Sequence, residues 1–177
     1  NTDWFTAANW TESNGAVSGV PTASDNVVIN VITNAPVISS GNAFANSITI
    51  STVAGNLLTV SNGATLTVSK NSGNPISVAT GTLVNNGTIN VSLTNSATVS
   101  NEGALRIFSS GTVNNFGTIN LEGGVNNCIY ITGATFNNKT GGSLVGNGLY
   151  IVKLATSGTS FLNESGANVS GTGTNAS

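Results

Sequence analysis

The chain lacks histidine, methionine and glutamine, and has one cysteine, three prolines and only four cationic side chains among 177 residues. Each shortage closes off some chemistry. Without histidine there is no common general base near neutral pH and no common zinc ligand. The single thiol, Cys128, has no internal disulfide partner and no imidazole to activate it. Flanked by Asn127 and Ile129-Tyr130-Ile131, it reads as a buried strand residue. A net charge of −2 supplies no basic patch, which argues against nucleic acid as a partner. No apolar run approaches the roughly 18 residues of a spanning helix, so no membrane insertion is expected of this segment. Charged residues are 6% of the chain, against about 25% in an average soluble domain.

Glycine, asparagine, serine and threonine fill the space, with Val, Ile and Leu recurring among them; apolar residues make up 38%. A disordered chain of similar polarity usually lacks those apolar residues. Many alternate with polar neighbours, the period of a half-buried strand, while the 22 glycines and many asparagines break helices and favour turns. The class is therefore all-β. A surface poor in Lys and Glu and rich in Thr, Ser and Asn is typical of exported proteins.

From about residue 45 one pattern recurs: an apolar residue, any residue, Asn, a short turn with Gly, and another apolar residue. It reads Val60-Ser61-Asn62-Gly63-Ala64-Thr65-Leu66, then Val84-Asn85-Asn86-Gly87-Thr88-Ile89. Further copies run from Val99, Val113, Phe136 and Phe161, placing the motif asparagines at Asn62, Asn86, Asn101, Asn115, Asn138 and Asn163. If Asn101 marks a second corner of one coil, the spacings become 24, 29, 23 and 25 residues. A repeat this short cannot bury its own core and must stack on its neighbours. Asn and Gly suit sharp corners, and stacked asparagines can hydrogen-bond to one another along a column. The expected fold is a parallel β-helix, a β-solenoid of five or six coils roughly 25–30 Å long. A Greek-key sandwich also accounts for the strands but gives no reason for the repeated corner.

Residues 1–44 differ. They hold both tryptophans, Trp4 and Trp10, with Phe5, Pro21 and Pro36, before the strand Asp25-Asn26-Val27-Val28-Ile29. Large aromatics ahead of a strand array suit an N-terminal cap over the open apolar end of the first coil; core aromatics of a sandwich are the alternative. The division is 1–44 for cap and first strands, and 45–177 for solenoid coils. The Ser/Gly/Thr-rich end, Gly171 to Ser177, has no evident cap, which predicts continuation into a longer chain or end-to-end self-association.

The segment Trp10…Gly19-Val20-Pro21…Asp25-Asn26-Val27-Val28-Ile29 resembles the opening of large secreted Bacteroidetes proteins of the type IX secretion kind. The run Gly81-Thr82-Leu83-Val84-Asn85-Asn86-Gly87-Thr88-Ile89-Asn90-Val91 resembles coils of right-handed β-helical adhesins and autotransporter-like passenger domains. The resemblance implies a right-handed parallel β-helix, export, a bacterial cell-surface location and a structural or adhesive role, with other surface proteins or glycans as partners. It brings no catalytic residues.

The search for reactive groups points the same way. The acids Asp3, Glu12, Asp25, Glu102, Glu122 and Glu164 are scattered; only stacking of coils would bring Glu102, Glu122 and Arg106 together as a catalytic set. Asp25 is the one isolated calcium candidate, and it reads better as a turn cap. Seven Asn-X-Ser/Thr sequons start at Asn9, Asn86, Asn90, Asn138, Asn163, Asn168 and Asn175. Thr65-Leu66-Thr67, with Thr88, Thr118 and Thr132 nearby in the repeat, raises a second function: a carbohydrate- or ice-binding Thr/Asn face. The expectation is a non-enzyme without cofactor or metal.

Overall fold

Successive side chains of a strand point to opposite faces, so an alternating sequence can bury one face completely. In a computed structural model describing residues 2–13, 15–16, 19–30, 33–51, 55–94, 101–123 and 126–172, the alternating runs form a parallel β-solenoid. The first coil comprises β1 (Asn26–Ile29), β2 (Val37–Ile38) and β3 (Asn42–Ala45), and the second β4 (Ser47–Ile50), β5 (Leu57–Val60) and β6 (Thr65–Lys70). The third holds β7 (Ile76–Val78), β8 (Thr82–Asn85) and β9 (Thr88–Leu93), and the fourth β10 (Gly103–Phe108), β11 (Thr112–Asn115) and β12 (Thr118–Glu122). The fifth holds β13 (Asn127–Thr132), β14 (Thr135–Asn138) and β15 (Ser143–Asn147); the sixth is β16 (Val152–Leu154), β17 (Ser160–Asn163) and β18 (Asn168–Gly171). The only helical element among the described residues is a 3-10 turn, Ala7–Asn9.

Each strand pairs in parallel with its equivalents in the neighbouring coils, giving three six-stranded sheets. Face one runs through β1, β4, β7, β10, β13 and β16; face two carries β2 and its equivalents, face three β3 and its equivalents. Register is kept from coil to coil, so like stacks on like. Ala43, Leu66, Ile89, Ile119, Leu144 and Val169 form one inward column of face three. These columns merge into a single hydrophobic core. The regular coils thus begin at Asn26, inside the segment expected to hold the first strands.

After the three-residue corner 39–41 of the first coil, the corners between faces two and three come in two lengths. Residues 61–64, 139–142 and 164–167 make four-residue corners, and 86–87 and 116–117 make two-residue ones. The longer corners carry Gly63, Gly141 and Gly166 at φ of 78°, 84° and 79°, where a side chain is disfavoured. The shorter ones need glycine for a different reason: a Cβ on Gly117 would collide with the carbonyl oxygen of Gly87 in the coil beneath.

The two ends are unlike. In the first coil the inward residues Ile29 and Ala43 are 3% and 1% exposed, whereas their counterparts Leu154 and Val169 in the sixth are 53% and 37% exposed. Trp4, fully buried, joins the core of the first end, and its amide donates to Val37 O at 2.9 Å. Val37 in turn donates to Thr2 O at 2.7 Å, so this stretch occupies the outer edge of β2.

Candidate functional site

The most organised polar feature is buried inside the rod. Face two turns a column of side chains inward: Val60, Asn85, Asn115, Asn138 and Asn163. Asn85 Nδ2 donates to Asn115 Oδ1 at 2.8 Å, Asn115 Nδ2 to Asn138 Oδ1 at 2.8 Å, and Asn138 Nδ2 to Asn163 Oδ1 at 2.7 Å. Each of these three nitrogens also donates to a backbone oxygen: Thr118 at 3.0 Å, Ser143 at 3.1 Å and Asn168 at 2.9 Å. Asn85, Asn115 and Asn138 are fully buried. A buried amide is tolerated only when its donors and acceptors are met, and stacking identical residues meets them coil by coil.

The sequence pattern locates this column with a slip. Asn115, Asn138 and Asn163 belong to it, but Asn86 is exposed at the corner and its predecessor Asn85 points inward. Period two fixes the phase: Leu83 and Asn85 share the buried face of β8, which turns Val84 outward. Asn62 lies two residues past Val60 in an exposed corner, and the column holds valine in that coil. Asn101 sits in the exposed turn before β10, at a different corner, where its Oδ1 accepts from the Tyr130 hydroxyl at 3.3 Å. Val99 and Ser100 of that copy, and the Asn175 sequon, lie outside the described residues.

At the other end Trp10 packs edge-on against Trp4, with ring centroids 4.6 Å apart, and its Nε1 donates to Trp4 O at 2.7 Å. Asp25 closes the turn before β1 by accepting from the amide and hydroxyl of Thr22, both at 2.7 Å. Those bonds hold its carboxyl below the ordinary value.

The remaining charged groups are dispersed over different faces. Arg106 points outward from face one, its guanidinium 4.7 Å from the Phe108 ring centre, while Glu122 ends β12 on face three. Glu164 pairs with Lys139 at 2.7 Å across adjacent coils and also accepts from the Thr140 amide at 3.1 Å. The Lys139 hydrogen bond first, then the Thr140 amide, lowers its pKa. Among the described residues no group of three or more His, Cys, Asp or Glu side chains is placed to hold a metal. Cys128 is buried, and desolvation pushes its thiol up to about 11 against weaker opposing hydrogen bonds.

Face three carries the polar outer columns. Thr65, Thr88, Thr118 and Ser143 stack in one, and Thr67, Asn90, Asn120 and Val145 in the next, with Asn120 donating to Asn90 at 2.8 Å. Thr132 is not part of this array; it stands on face one beside Phe108. A scan of family models and searches of the curated proteins and of the solved structures found no significant match to the chain.

Proposed function

We propose that the chain is a non-enzymatic structural or adhesive segment of a secreted bacterial cell-surface protein, a stiff right-handed β-helical rod. The observation that carries this reading is the unbroken stacking of core and amide columns along the axis. Such an array resists bending because every coil is bonded to its neighbours over three faces. The dispersed acids and inert thiol support a passive role. The tryptophan segment serves as a cap that seals the first coil, while among the described residues no coil covers Leu154 and Val169 of the sixth. Parallel strand edges beside apolar side chains suit the stacking of a further coil, from the same chain or from a second copy.

Sedimentation velocity over a wide concentration range tests the association. Concentration-dependent elongated species are expected, abolished by Leu154→Lys with Val169→Lys. A wild-type protein that stays monomeric near millimolar concentration would remove self-association from the proposal. Binding of the fluorescent protein to host-cell surfaces tests the adhesive half.

The Thr65–Thr88–Thr118 register favours one other reading, an ice-binding face. It predicts thermal hysteresis that Thr88→Tyr removes; no hysteresis in the wild-type protein eliminates it.

A further inference from the structure

Beside the tryptophan segment lies a cleft of about 300 Å³. Its lining mixes apolar Trp10, Val28 and Pro36 with polar Asp3, Asn30 and Asn34. Its volume is at the lower end of the ~300–1,000 Å³ typical of small-molecule sites.

Several features set this cleft apart from a simple seal. Burial of Trp4 already closes the core, yet Trp10 is only partly covered and is clamped by its bond and edge contact to Trp4. Val28 is 57% exposed, on the outward column that carries Thr49, Ser77 and Arg106 in the next three coils. An apolar side chain thus faces the cleft where those coils are polar. Asn9 Nδ2 donates to the backbone oxygen of Asp3 at 2.6 Å, and the Asp3 carboxylate accepts from Thr6 and Ser39. Asp3 is thus held in place as well. The side-chain amides of Asn30 and Asn34 are exposed and make no hydrogen bond to other described residues.

We propose that this cleft binds one pyranose ring of a neutral sugar. A pyranose has the same mixed chemistry: a face of C–H groups that packs on indole and aliphatic surface, and equatorial hydroxyls that donate to carboxylate and pair with amides. None of the described lining residues is cationic, so an anionic ligand would gain no ion pair from them. A wholly apolar ligand would strip water from Asn30 and Asn34 without replacing it. The site goes beyond the structural role proposed above and does not depend on it.

Tryptophan fluorescence titration tests the site on the intact chain, using methyl β-glucoside, methyl α-mannoside, methyl β-galactoside and glucuronate as probes. A saturable change with at least one neutral glycoside is expected, with Kd of about 1 mM, the strength of a few hydrogen bonds and one stacked face. Glucuronate is expected to bind roughly tenfold more weakly, or not at all. The double variant Asn30→Ala/Asn34→Ala, altered only at exposed positions, should lose roughly tenfold in affinity while its circular dichroism is unchanged. No saturable response to any neutral glycoside up to about 50 mM, some fifty times the expected Kd, would overturn the proposal. So would equal affinity for glucuronate, or undiminished binding by the folded double variant.

Discussion

Asn115 stands mid-column, accepting from Asn85 and donating to Asn138 and to Ser143 O. Replacing it with alanine opens a cavity and leaves Asn138 Oδ1 buried without its donor. We expect Asn115→Ala to cost about 2–4 kcal/mol in chemical denaturation. Asn163 accepts the same kind of bond at an exposed position, where water replaces what is lost. Asn163→Ala should cost about 1 kcal/mol or less; equal costs at the two sites would show that burial does not set the value of the ladder. Cys128 offers a second measurement at this scale. Its thiol, raised to about 11 by desolvation, is almost wholly protonated at pH 8. A disulfide reagent such as Ellman's should leave the native protein unlabelled and titrate one thiol after denaturation. Rapid labelling of folded protein would contradict the burial.

Corners show best why some elements were legible in the sequence and others not. Strands such as Thr88–Leu93 announce themselves, because Ile89, Val91 and Leu93 alternate with polar residues and are all buried. The corner asparagines were ambiguous because Asn85-Asn86 and Asn114-Asn115 are identical pairs; a one-residue slip changes which member is buried without changing the pattern. Glycine had two meanings that one letter conceals. Gly63 is needed for its positive φ, so Gly63→Ala should cost about 1–2 kcal/mol. Gly117 is needed because backbones of adjacent coils touch, and Gly117→Ala should cost about 3 kcal/mol or more, measured by thermal unfolding. The Trp10 cleft was invisible in sequence because it joins residues from the first turn to Val28 and Pro36, with no shared motif. At the four-residue corner of the fifth coil, Lys139 pins Glu164 of the sixth. The folded-state pKa of Glu164 is depressed, so its stabilisation is present above the unfolded carboxyl value and lost as pH falls through the folded one. A carboxyl NMR titration should find the low pKa in the wild type and one moved toward the ordinary value in Lys139→Ala, where the Thr140 amide still donates.

Across the whole molecule, stability follows position along the stack. Inner coils are covered on both sides, whereas the sixth has a neighbour on one side only among the described residues. Amide hydrogen exchange should therefore be fastest in β16–β18 and slowest in β8–β11, and Leu154→Asp should be tolerated where Ile107→Asp prevents folding. Uniform protection through all six coils would mean that the rod unfolds as one unit. The amide column gives this stack an electrical direction as well. Every Nδ2 in it from Asn85 to Asn138 points toward the later coil, and the backbone oxygens of Thr118, Ser143 and Asn168 fix which amide atom is the nitrogen. The amide dipoles add head to tail and polarise one another, while the outer pair Asn120–Asn90 points the opposite way. A coil that joins beyond Asn163 must offer it an oxygen, so the column can be extended from that end in one sense only.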